Sequence, residues 1–212
     1  MLPLTAGSDT ILLRLYDYPP SGNGYKVRLL LAQLAVPFEL VTLDIVNGET
    51  RTPEFLAKNP NGRIPLLEVE PGKFLAESNA ILFYLSEGTA FLPDDRWERA
   101  QALQWMCFEQ YSHEPNIATV RFWLHYAELT DERRAAIAQK RTLGYAALDV
   151  MERHLATRRF FVAERYTIAD IALYAYTHVA DEGGFELGPY PAVQAWLERV
   201  REQPRHVSIS QG

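Results

Sequence analysis

The residues able to do chemistry fall into a few short stretches. Ser21 and Asn23 lie in Pro-Pro-Ser-Gly-Asn-Gly, residues 19–24, a run of turn formers between two apolar patterns. Glu77 and Ser78 precede Ile81, Leu82 and Leu85, so they stand at a helix start. Free backbone amides there suit a carboxylate, and the Ser78 hydroxyl adds a bond. Plain capping by Ser78 beside a first-turn acid satisfies the same spacing. Cys107 is the single cysteine. One thiol makes neither an internal disulfide nor a CxxC pair, which fits a reducing compartment, and its helical neighbours predict a packed thiol. His113-Glu114 has no second histidine at helical spacing, so no metal site is expected. Asp17, Asp181 and Glu182 show no acid/base pairing. Thr167 and Asp170 have the spacing of a capping box, with Tyr166 and Ile171 placed as a hydrophobic staple. That motif belongs to folding.

The elements that must position these groups can be read from periodicity and turn chemistry. A strand is predicted over Ile11–Tyr18. A helix follows, with Val27, Leu30, Leu31 and Leu34 on one face. Phe38–Asp44 reads as a strand. Thr52 and Pro53 supply an N-cap and a first-turn proline for a short helix through Lys58. The stretch IPLLEVEPGKFLAE, residues 64–77, folds back at Glu70–Lys73 as a hairpin. With the helix opening at Ser78, the order is βαβαββα, and the βαβ crossover should be right-handed. Gly88–Pro93 is the expected linker.

Everything beyond the linker reads helical. Asp95 and Glu98 are spaced as a capping-box variant, with Leu103, Met106, Cys107 and Tyr111 on one face behind them. Pro115 should end or kink that helix. Thr130 opens another with Asp131 and Glu132 in its first turn. Thr167 opens a third carrying Ile168, Ile171, Ala172, Ala175 and Val179. Pro191 opens a fourth carrying Val193, Trp196, Leu197 and Val200. The predicted fold class is therefore α/β plus all-α, with domains at 11–87 and 94–212.

Bulk properties agree. At 212 residues the chain suits two small domains. It lacks a run of about 18 apolar residues, so no membrane partner is expected. MLPLTAGSDT reads as a short disordered lead rather than a signal peptide. A net charge of −6 argues against nucleic acid, which needs a basic face.

Three stretches together carry a resemblance over almost the whole chain: YDYPPSGNGYKVRLLL (16–31), NPNGRIPLLE with FLAESNAILFYL (59–68 and 74–85), and YTIADIALY (166–174). In this order and spacing the sequence resembles the glutathione S-transferase family, and SGNGYKVRL is similar to a bacterial branch of it. The resemblance implies a thioredoxin-like N-terminal domain that binds glutathione and a helical-bundle C-terminal domain. It also implies a cytoplasmic homodimer, in which the first domain of each subunit packs on the helical domain of the other, and a detoxification role. The task would be to lower the thiol pKa and present the thiolate to a small-molecule electrophile. A free thiol titrates near 8.5, and each unit of depression requires about 1.4 kcal/mol of preference for the anion. Ser21 stands where serine-type members donate a hydroxyl to sulfur; the Asn23 amide is the rival, with Tyr16 and Tyr18 behind. No cysteine precedes Cys107, so mixed-disulfide chemistry through a protein thiol is not expected.

The tripeptide's holders are likewise implied. Ile64-Pro65 corresponds to the family's cis-proline step, with the Ile64 backbone pairing to the cysteinyl unit as a strand edge does. Glu77 would take the γ-glutamyl ammonium, and Ser78 with the helix amides its carboxylate. Thr50-Arg51-Thr52-Pro53 aligns with the segment that serves the glycine carboxylate through Arg51, with Arg63 assisting. Tyr111, Asn116, Phe122 and Trp123 are candidates for an electrophile pocket. Two other functions fit the same residues. One is glutathione-dependent reduction of a disulfide with two bound glutathiones, favoured by Asn23. The other is a non-catalytic glutathione-binding or scaffold module.

Overall fold

The computed structural model describes residues 12–211. The expected disordered lead and Ile11, at the start of the expected first strand, lie outside the described residues. The described residues divide into two compact units, one of residues 12–92 with 204–211 and one of residues 93–203.

The first unit runs β1 (Leu13–Asp17), α1 (Gly22–Leu34), β2 (Phe38–Thr42), a 3-10 turn (Glu49–Arg51), α2 (Pro53–Lys58), β3 (Leu66–Glu70), β4 (Lys73–Ala76) and α3 (Ser78–Ser86). This is the predicted thioredoxin-like order. The sheet order is β2-β1-β3-β4, with β1 and β2 parallel and the other pairs antiparallel. A parallel pair needs a long crossover, and α1 supplies it. Leu15, Leu66 and Leu67 from the sheet, Val27, Leu30 and Leu31 from α1, and Ile81, Leu82 and Leu85 from α3 are all fully buried. Helix α2 begins as predicted. Thr52 Oγ1 accepts from the Phe55 amide, and Pro53 sits in the first turn where its missing N–H costs nothing.

The second unit is helical: α4 (Arg96–Phe108), a π-helical turn (Glu109–His113), α5 (Glu114–His125), α6 (Asp131–Leu155), α7 (Ile168–Thr177), a 3-10 turn (Ala180–Gly183) and α8 (Pro191–Arg201). Thr130 caps α6 through the Arg133 amide, and Thr167 with Asp170 forms the predicted capping box of α7.

Two expectations need correction. Asp95 caps α4 by accepting from the amides of Trp97 and Glu98, but Glu98 does not reach back. Its carboxylate pairs instead with Arg165 at 3.3 Å. The buried face of α4 carries Ala102, Trp105 and Met106. Trp105 is the cause: its ring meets Phe108, His154 and Phe161, and that sets the helical phase. Leu103 is consequently 52% exposed and Tyr111 88%, and Cys107 is exposed rather than packed. At Pro115 the α-helical run is interrupted by a change of helix type rather than stopped. The chain passes through the π turn, and the proline falls in the first turn of α5, a bulge of the kind that kinks helices.

Among the described residues no helix is long and apolar enough to cross a membrane.

Candidate functional site

The sheet register gathers the predicted residues at one end. Leu66, the first residue of β3, pairs with Tyr16 near the end of β1 and with Ala76 at the end of β4. The turn bearing Ser21 and Asn23, the Ile64-Pro65 step and Glu77-Ser78 therefore all lie at the same end of the sheet. The loop after β2 starts there too, with the Leu43 amide donating to the Asp17 carbonyl at 2.8 Å.

Ser21 is the N-cap of α1. Its backbone N–H donates to the Tyr18 carbonyl at 2.7 Å, and its Oγ accepts from the Gly24 amide at 3.4 Å. Acting as an acceptor leaves the hydroxyl proton available to a second group. Gly24 has a steric reason: a Cβ there would fall 1.7 Å from the Asp17 carboxylate oxygen. Asp17 has a structural partner, an arginine of α1. It is fully buried, 3.0 Å from Arg28 Nε, and accepts the Tyr18 amide at 2.7 Å. Burial pushes its carboxyl up to about 6, opposed by the Arg28 charge and the Tyr18 amide.

Ser78 is the first helical residue of α3 and not its cap. That position falls to Glu77, at φ 69° and ψ 114°, which makes no side-chain capping bond. The first-turn amides of α3 thus keep their capacity for an anion. Ser78 Oγ donates to Asn23 Oδ1 at 3.1 Å and accepts from Lys26 Nζ at 3.4 Å. A buried ammonium, a buried hydroxyl and the Asn23 amide thereby link the two helix starts. Glu77 is exposed, and its carboxylate forms no hydrogen bond or ion pair among the described residues.

The Ile64-Pro65 peptide is cis. Ile64 is half-buried and forms no backbone hydrogen bond with the other described residues. Thr50 is buried. Arg51 is exposed, with Nη1 donating to the Asn61 carbonyl at 3.0 Å. Arg63 is exposed, and its carbonyl accepts from Asn59 Nδ2 at 2.8 Å. Tyr16 packs edge-on to Phe55 and Phe74 and donates to Glu68 at 3.1 Å. Burial and that acceptor hold its phenol above its ordinary value.

In the helical unit His113 is buried, with Nε2 2.9 Å from Thr177 Oγ1. The aromatic set proposed for an electrophile is heterogeneous. Asn116 donates to the Ser112 carbonyl at 2.8 Å, and the Trp123 ring lies beneath Lys140 and Arg133. Among the described residues no group of three or more histidine, cysteine, aspartate or glutamate side chains could hold a metal ion. Reading the sequence missed Lys26 and Arg28. Both sit in an apolar helix pattern at positions where a long cation normally reaches solvent, and both are buried.

The family model described as "Glutathione S-transferase, N-terminal domain" matches residues 12–87, and that described as "Glutathione S-transferase, C-terminal domain" matches residues 102–204. A glutathione S-transferase from Pseudomonas fluorescens has a solved structure that superposes with a TM-score of 0.91 at 54% identity, over 93% of this chain and 98% of the other. The disulfide-bond oxidoreductase YfcG of Escherichia coli (strain K12) is 32% identical over 194 residues, covering 88% of this chain and 89% of the relative. A glutathione transferase from Pseudomonas putida, solved with one glutathione disulfide bound per subunit, is similar with a TM-score of 0.80 at 28% identity, over 94% and 91% of the two chains.

Proposed function

The chain belongs to the glutathione S-transferase family, and from that premise we propose how its own residues use glutathione. It is a glutathione S-transferase that takes the tripeptide as co-substrate. In the proposed reaction the Ser21 hydroxyl donates to the glutathione sulfur and holds it as thiolate for attack on a small-molecule electrophile, in a detoxification role. The Ile64 backbone pairs with the cysteinyl unit. Glu77 takes the γ-glutamyl ammonium, while Ser78 and the uncapped start of α3 take its carboxylate. Thr50 and Arg51 serve the glycine carboxylate with help from Arg63. The observation that supports this reading is the shared end of the sheet. There a cap serine with a free proton, the unpaired Ile64 backbone before β3 and an uncapped helix start lie together, each matched to one part of the tripeptide. Residues 11–87 would be the binding domain and 94–212 the helical one, with the chain from Pro204 on returning to the first compact unit. The setting would be the cytoplasm, the assembly a homodimer, and the lineage the bacterial branch that SGNGYKVRL resembles. Neither a nucleic acid nor a membrane is among the proposed partners.

The test is the titration of bound glutathione by thiolate absorbance, at roughly 240 nm. Ser21→Ala should raise the bound thiol's pKa by roughly one to two units, the scale of one hydrogen bond to a charged atom. Asn23→Ala should shift it less. A larger shift from Asn23→Ala moves the chemistry to the amide and favours the second reading, glutathione-dependent reduction of a disulfide. YfcG's name, the glutathione disulfide in the P. putida structure and the Ser78 bond that fixes the Asn23 amide support that alternative. A binding module without catalysis is the third outcome, marked by normal binding and no turnover with any electrophile or disulfide.

A further inference from the structure

The turn bearing Ser21 is braced by a segment that lies far away in sequence. Arg28 is 1% exposed, and its planar guanidinium meets four acceptors. Nε donates to Asp17 at 3.0 Å, and Nη2 donates to the Pro19 carbonyl at 2.5 Å. Nη1 donates to the carbonyls of Ile209 at 3.1 Å and Gln211 at 3.0 Å. Tyr25, on the same face of α1, donates its hydroxyl to the Val207 carbonyl at 2.6 Å and lies 3.3 Å from His206 Nε2. Residues 206–211 thus form a strap along α1, tied through backbone carbonyls.

We propose that Arg28 is a positioning residue for the Ser21 turn and that the 206–211 strap sets its guanidinium. The reason is donor bookkeeping on one rigid plane. Both Nη1 protons are taken by strap carbonyls, so the plane is fixed in the orientation that presents Nη2 to Pro19 and Nε to Asp17. Asp17 and Pro19 flank Tyr18, whose carbonyl accepts the Ser21 amide. The Asp17 carboxylate also lies against Gly24, the residue whose amide reaches Ser21 Oγ. Without the strap, two buried N–H donors lose their acceptors. The guanidinium turns to find others, and the turn that aims the hydroxyl loses its support.

This inference rests on Ser21 being the donor to glutathione sulfur, and the test separates the two. Three variants are compared with the full chain: removal of residues 206–212, Arg28→Lys, which keeps the charge but loses the fork, and Tyr25→Phe, which releases the hydroxyl's contacts with Val207 and His206 and leaves Arg28 in place. The first readout is hydrogen exchange of the Ser21 amide without ligand. The second is the pKa of bound glutathione with kcat and KM. The shortened chain and Arg28→Lys should each speed Ser21 exchange and raise the bound thiol by about one pKa unit. They should lower kcat by up to roughly tenfold, the change in thiolate fraction that one pKa unit makes, with KM for glutathione nearly unchanged. Tyr25→Phe should act in the same direction more weakly. If the shortened chain does not fold, the two point variants carry the test. Faster Ser21 exchange supports the strap whatever Ser21→Ala does to the thiol. Unchanged exchange in a folded Arg28→Lys protein overturns it, even where Ser21→Ala confirms the hydroxyl as donor.

Discussion

Glu77 holds a backbone conformation that glycine adopts freely and other residues rarely. Such positions cost of order 1–3 kcal/mol and persist where function needs them. Here the carboxylate is the candidate holder of the γ-glutamyl ammonium. Two substitutions separate strain from function. Glu77→Ala should weaken glutathione binding by about 10- to 100-fold, since a charge-assisted bond is worth roughly 1.5–3 kcal/mol. Glu77→Gly should weaken it similarly while raising the unfolding free energy by about 1 kcal/mol, because the strain is removed. Calorimetry with an unchanged dissociation constant in both variants removes Glu77 from the site. Glu77-Ser78 was legible in the sequence because a helix start announces itself locally. The burial of Lys26 and Arg28 was not. What covers them is a carboxylate at the end of β1 and a hydroxyl at the start of α3, and for Arg28 two carbonyls beyond residue 208. No local pattern encodes that meeting.

At the scale of elements, short-range signals were the readable ones. Thr52, Thr130 and Thr167 cap the helices they precede, since a cap is a contact within three residues. The phase of α4 was misread because Trp105, packed on residues 154 and 161, decides which side turns inward. The cap of α7 has a larger role than its motif states. Asp170 is fully buried and accepts from the Thr167 amide at 2.9 Å and hydroxyl at 3.2 Å, the Phe161 amide at 3.1 Å and the Trp196 indole at 3.0 Å. Asp170→Ala should therefore cost about 3 kcal/mol or more, above the roughly 0.5–2 of a cap alone, because buried donors lose their acceptor. Burial also pushes the Asp170 carboxyl up to about 6. The native state then binds more protons than the unfolded chain between about pH 4 and 6. This group's contribution is fullest below that window and is lost as pH rises through it. Urea unfolding at several pH values should show this fall in the native protein and a flatter profile in Asp170→Asn. A profile that Asp170→Asn leaves unaltered rejects the assignment.

The whole molecule poses the question of what covers α4. Leu103, Cys107 and Tyr111 follow one another at four-residue spacing, all exposed, and Trp97 on the same helix is 71% exposed. A contiguous row of apolar side chains facing water along α4 and the π turn after it is the kind of surface at which association occurs. In the proposed homodimer, a second copy covers this row. Sedimentation velocity at micromolar concentration should give twice the mass of 24.2 kDa, and Leu103→Asp should shift it to the monomer, since a buried charge without a partner is expensive. Cys107 supplies an internal reporter. Its thiol should react slowly with a maleimide in the dimer and rapidly in the Leu103→Asp protein. A monomer in the unaltered chain rejects the assembly outright. A dimer that Leu103→Asp leaves intact, with Cys107 equally reactive in both, keeps the assembly but moves the interface off α4. The exposed row would then be a surface of the single chain, and the fold would dimerise through another face.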